Sequence, residues 1–158
     1  MRPWLPLALA AACLAQPAGA FDLTGTWEGK QTCKGSDGAK FSFVFPTTLR
    51  ITQTDTTFAM EVVSDSGSDF YNGIGIDSTA KPQNGEAYFV HCGTTSVPAT
   101  GKEAFDETGR GIVKTKETGT GSFKGTSIFY NGEPEVASCK WSYKLTDPAD
   151  PQAVGCGS

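Results

Sequence analysis

Histidine is the side chain best suited to moving protons near neutral pH, and the sequence has a single one, His91, beside Cys92. A catalytic imidazole needs a nucleophile or an acid within hydrogen-bond reach. Two-residue alternation groups His91 with Ala87 and Phe89, opposite Tyr88 and Val90, and the spacing identifies no partner. His91 is therefore read as a polar residue on a strand face. Asp65, Asp69 and Asp77 invite comparison with a calcium site, but an EF-hand loop needs acids at alternate positions followed by glycine. They read as solvated turn charges. Asp106-Glu107 and the pair Glu133 and Glu135 read as loop and turn charges rather than acid/base pairs, since nothing marks a desolvated site around them. With no nucleophile motif, no metal-ligand set and no phosphate-cradling loop, the expectation is a non-enzymatic protein without a cofactor or metal.

The first twenty residues carry different information. Met1-Arg2 is followed by an apolar run over 4–14 and then by Gln16-Pro17-Ala18-Gly19-Ala20. One positive charge, a short apolar stretch and small residues in that order make a secretory signal. The run falls short of the roughly 20 residues needed to span a bilayer. An alternative is a lipoprotein, with Cys13 acylated after Ala10-Ala11-Ala12. The expected organisation is a signal peptide over 1–20 and one β-barrel domain over 21–158, in a periplasmic or secreted protein. With Arg2 removed, 12 basic residues face 17 acidic ones, a net charge of about −5. A mildly acidic chain without a basic cluster argues against nucleic acid, and no later segment is apolar enough for membrane insertion.

Cys33, Cys92, Cys139 and Cys156 remain past the signal. An even number in an exported chain reads as two disulfides, with three possible connectivities. Zinc is the alternative, but the chain has no paired Cys-x-x-Cys and only one histidine, so disulfides are expected.

The elements that position these residues are strands. Leu23, Gly25, Trp27, Gly29, Gln31 and Cys33 share one face of the first segment, Phe41, Phe43, Phe45, Leu49 and Ile51 one face of the second, and Cys139, Trp141, Tyr143 and Leu145 one face of the last. Pro46 should force a bend or bulge in the second. Turn signals such as Gly35-Ser36-Asp37-Gly38, Asn84-Gly85 and Asn131-Gly132 punctuate the chain. The reading gives eight strands, near 22–33, 40–53, 57–64, 70–77, 86–92, 110–117, 121–130 and 136–146. Residues 93–108 form a long loop or contain a short helical turn over 102–106. Eight hairpin-linked strands satisfy a barrel or a sandwich. An up-and-down barrel removes exposed edges and sets the first strand beside the last, which brings Cys33 near Cys139. Cys92 then pairs by elimination with Cys156, provided the tail climbs back along the barrel.

Leu23-Thr24-Gly25-Thr26-Trp27 resembles the Gly-x-Trp opening of calycin barrels (lipocalins, fatty-acid-binding proteins and avidins), with an echo in Gly121-Ser122-Phe123-Lys124-Gly125-Thr126. The resemblance implies an eight-stranded barrel closed at one end by Trp27 and open to a ligand at the other. It also implies a basic residue packed over Trp27; Lys144 is the candidate, although alternation points it outward. An avidin-type biotin site needs several barrel tryptophans, and past residue 20 only Trp27 and Trp141 remain.

The candidate ligand wall is the inward set Trp27, Gln31, Phe41, Phe43, Phe45, Phe123, Phe129, Trp141 and Tyr143. Gly25, Gly29 and Gly125 on the same face suggest room beside them. An eight-stranded barrel holds either packed side chains or one small ligand. The expected function is the binding of a small, largely apolar molecule. The alternatives are a secreted interaction protein with a protein partner, such as a protease inhibitor, and a filled structural barrel.

Overall fold

The computed structural model describes residues 21–37, 39–78, 81, 84–92, 95–96, 104–116, 119–131 and 136–156. Residues 1–20 with Cys13, Glu133 and Glu135, and most of 93–103 lie outside them.

The chain is a closed, all-antiparallel, up-and-down barrel of eight strands. They are β1 (Gly25–Asp37), β2 (Ala39–Thr54), β3 (Thr57–Ser64), β4 (Gly67–Asp77), β5 (Asn84–His91), β7 (Ala104–Lys116), β8 (Thr120–Asn131) and β9 (Val136–Asp147), with a two-residue strand β6 (Thr95–Ser96) paired to the start of β7. Consecutive barrel strands pair, β5 with β7 included, and β1 pairs with β9 to close the cylinder. That closure places Cys33 opposite Cys139 in register, and the two are bonded. Cys92 is bonded to Cys156. To reach it, the tail after β9 climbs the outside of the barrel: Thr52 Oγ1 donates to Asp150 and accepts from the Ala153 N–H, and the Cys156 N–H donates to Asn72 Oδ1 at 3.0 Å.

The barrel is plugged at the end where β1 begins. Phe21, Leu23 and Trp27 are buried there. Trp27 Nε1 donates to the Leu23 carbonyl at 2.8 Å, Gln53 Oε1 accepts the Leu23 N–H at 3.0 Å, and Asp77 accepts the Phe21 N–H at 2.9 Å. The Phe21 ring lies so close over Gly75 and Gly85 that a side chain at Gly85 would occupy the ring's own space. Phe21-Asp22 therefore does not project from the fold. Above this plug, Leu49, Ile51, Phe58, Met60, Val113 and Phe123 fill the lumen.

Four expectations need correction. Pro46 causes no bulge: β1 and β2 stay in register from Gly25↔Ile51 to Asp37↔Ala39. The reason is local, since β2 pairs with β3 only from Thr48 onward, so Pro46 sits on a free edge where its missing N–H costs no ladder bond. The stretch 104–108 is neither loop nor helical turn but the start of β7, paired to β8 from Phe105↔Asn131. Gly35 and Ser36 belong to β1 rather than to a turn. The inward glycines leave no open room: the Tyr143 ring occupies the space over Gly29, the Trp141 ring that over Gly125, and the Leu145 side chain that at Gly25.

Candidate functional site

The filled core stops halfway along the barrel. Toward the mouth, a cavity of about 580 Å³ opens among Gln31, Phe41, Phe43, Phe45, Thr47, Val62, Asp69, Tyr71, Glu107 and the Cys33–Cys139 bridge. Beneath it, a small inner chamber of about 20 Å³ is lined by Gln31, Leu49, Met60, Tyr71, Glu107, Trp141 and their neighbours. That volume is the size of a single water molecule.

One wall is an aromatic ladder. Alternation on β2 brings Phe41, Phe43 and Phe45 to the same side, with ring centroids 5.4 and 5.5 Å apart and near-parallel planes. The rings stack on one another rather than into the core, so Phe43 remains 48% exposed while Phe41 and Phe45 are half-buried. An apolar wall left wet in this way gains free energy from whatever covers it.

The floor is polar and crosses the lumen. Glu107 of β7, 5% exposed, accepts the Tyr71 hydroxyl of β4 at 2.6 Å and the Gln31 amide of β1 at 3.3 Å. Burial raises the Glu107 carboxyl above its ordinary range, against the opposing pull of the Ser127 and Tyr71 hydroxyls. Burial also raises Tyr71, and the neighbouring Glu107 charge raises it further, so its phenol stays protonated as a donor. Tyr143 is pushed up to about 12, chiefly by burial, and shares a 2.6 Å hydrogen bond with Thr47. The His91 ring lies edge-on to Tyr71 with centroids 5.1 Å apart, and its Nε2 is 3.8 Å from Asp69 at the rim. Among the described residues, Trp141 Nε1 is a buried polar atom of the lumen without a hydrogen-bond partner, and the Ser127 hydroxyl stands beside Glu107.

The sequence-predicted wall divides by depth. Phe41, Phe43, Phe45 and Gln31 line the cavity, and Gln31, Phe123, Trp141 and Tyr143 line the inner chamber. Trp27 lies below both, in the plug, packed edge-on against Phe123 at 6.1 Å. Phe129 is on β8 opposite Glu107 and Ala137, and its side chain lies outside the described residues. Lys144 pairs with Glu28 on β1 and is exposed on the outer face, away from Trp27. Of the acids, Asp65 and Asp69 stand at the mouth, and Asp77 anchors Phe21 at the opposite end.

Glu107 overturns its expectation as a loop charge: it is the centre of the floor. Counting back by twos from the buried Val113 through Gly111 and Gly109 reaches it, but the two glycines hide the alternation. Tyr71 was hidden in the same way, because the inward positions after it are Gly73 and Gly75 while Ile74 and Ile76 face outward. No protein-family model matches the chain, and no curated protein sequence matches it.

Proposed function

We propose that this chain is an exported, non-enzymatic binding protein of calycin type that holds a small, largely apolar ligand in the mouth half of its barrel. The observation that carries the proposal is the cavity of about 580 Å³ walled by Phe41, Phe43 and Phe45, within the roughly 300–1,000 Å³ range of small-molecule pockets. Covering roughly 150 Å² of that apolar wall contributes about 4 kcal/mol before the costs of association. Thr47, Tyr71 and Gln31 supply the few polar groups that orient a ligand. Trp27 in the first strand, locked over the plugged end, supports the calycin relationship; the outward Lys144 departs from it. Two disulfides suit the oxidising compartment that the leader sequence implies.

The test is native mass spectrometry on protein purified gently from its own exported fraction. A reproducible added mass that disappears on denaturation is the expected result and identifies the ligand class. A bare mass for residues 21–158 with two disulfides counts against it. A protein partner is the second reading, and one feature favours it: Ile74, Ile76, Val90, Ile112 and Ile128 are about half-exposed on the outer faces of β4, β5, β7 and β8, a grouping typical of contact surfaces. The buried Phe21 speaks against an inhibitor that works through its N-terminal arm.

A further inference from the structure

Resting on the binding function proposed above, we infer that the ligand is a cationic amphiphile, an ammonium group on an aromatic body, with the charge seated on Glu107 and the body against the phenylalanine ladder. Among the described residues lining the cavity, the acidic side chains are Asp65, Asp69 and Glu107, and none is a lysine or arginine. An anionic ligand would enter against this field, and a wholly apolar one would cover the floor without answering its polar groups. An ionised carboxylate has about four acceptor positions. Tyr71 and Gln31 use two on Glu107, and both are neutral donors. A buried carboxylate is costly until a cation joins it, and an ammonium supplies that cation.

Two further observations point the same way. Ser127 Oγ, 2% exposed, stands beside Glu107, so a hydroxyl oxygen able to accept an ammonium proton lies next to the carboxylate. The ladder has the right placement for the body. Phe45 is in register with Gln31, which bonds Glu107, and Phe41 lies four residues closer to the mouth, about 13 Å along the strand. A fused-ring arylalkylamine fits that length with its head on the floor.

The experiment is calorimetric titration of the disulfide-intact protein with three probes sharing one ring system: tryptamine, the neutral alcohol tryptophol and the anion indole-3-propionate. The neutral dye N-phenyl-1-naphthylamine reports separately on the cavity. The expected order is tryptamine tightest, by roughly tenfold or more over tryptophol, with the carboxylate weakest. Glu107→Gln should abolish the advantage of the amine over tryptophol, with the dye reporting whether the cavity persists in the variant. Equal binding of the three indoles to the wild-type protein overturns the charge assignment and leaves the cavity reading standing. So does an amine preference that survives in a folded Glu107→Gln protein. Failure of all four probes to bind the wild-type protein removes the cavity reading itself, and this inference with it. The wild-type comparison decides the question even if Glu107→Gln does not fold.

Discussion

The two disulfides close loops of similar size but should differ widely in what they contribute. Cys33–Cys139 spans a sequence separation of 106 and Cys92–Cys156 one of 64. The chain-entropy model assigns these loops about 4.8 and 4.3 kcal/mol respectively at 25 °C. Those figures describe only the unfolded chain, and the net effect depends on how closely the folded chain holds each pair without the bond. Cys33 and Cys139 are register partners on strands paired from Thr26↔Asp147 to Lys34↔Ser138, so the barrel keeps them together whether or not they are bonded. Cys156 ends a strap that meets the barrel through the Thr52 and Asn72 contacts. Without the bond that strap can leave the surface while the barrel stays folded, and the entropy it regains offsets most of the loop term. Cys33→Ala/Cys139→Ala should therefore lose about 4–5 kcal/mol, equivalent to roughly 15 °C in Tm for a domain of this size. Cys92→Ala/Cys156→Ala should lose less than about 2 kcal/mol. Urea unfolding of each double variant, with the other bridge intact, measures both. Equal losses, or a larger loss at Cys92–Cys156, would refute the distinction between a strand-locked and a tethered bridge.

Three other outcomes follow from the packing and the floor. Gly85→Ala, whose new methyl would enter the Phe21 ring, should cost about 1–3 kcal/mol by overpacking, and Phe21→Leu in the same chain should recover part of the loss in thermal denaturation. Trp27→Ala should cost about 3–5 kcal/mol because it empties the plug, whereas Phe43→Ala, half-exposed at the mouth, should leave stability nearly unchanged and weaken dye binding. The third outcome concerns pH. Burial raises the folded-state pKa of Glu107, so its contribution is complete below the unfolded carboxyl value of about 4.3 and is lost as pH rises through the folded value. Unfolding free energies measured from pH 4 to pH 8 should show that decline in the wild-type protein and a flatter profile in Glu107→Gln.

The line between what was legible in the sequence and what was not follows the geometry of a strand. Alternation over Leu23 to Cys33 and over Cys139 to Leu145 assigned faces correctly, because a buried lumen and a wet exterior impose opposite demands on successive residues. Where inward positions are glycine the signal fails. On β4 the inward residues are Tyr71, Gly73 and Gly75, with the Phe58 ring over Gly73 and the Phe21 ring over Gly75. A large ring from one strand thus fills the space vacated by a glycine on another, and neither strand alone reveals the exchange. Gly109 and Gly111 hide Glu107 in the same way, beneath the rings of Phe89 and Trp141.

By itself, the sequence determined that the chain is antiparallel β, that its strands number eight, and that closing them brings Cys33 to Cys139. These properties depend on local alternation, turn residues and the number of strands, all of which are written along the chain. Only the tertiary structure decided how far the core extends before the cavity begins, and which side chains meet at its floor. Depth in a barrel depends on what reaches across the lumen from the opposite strands. Gln31, Tyr71 and Glu107 come from β1, β4 and β7, and they meet because closure brings three distant strands around one axis, a relation that no local pattern encodes.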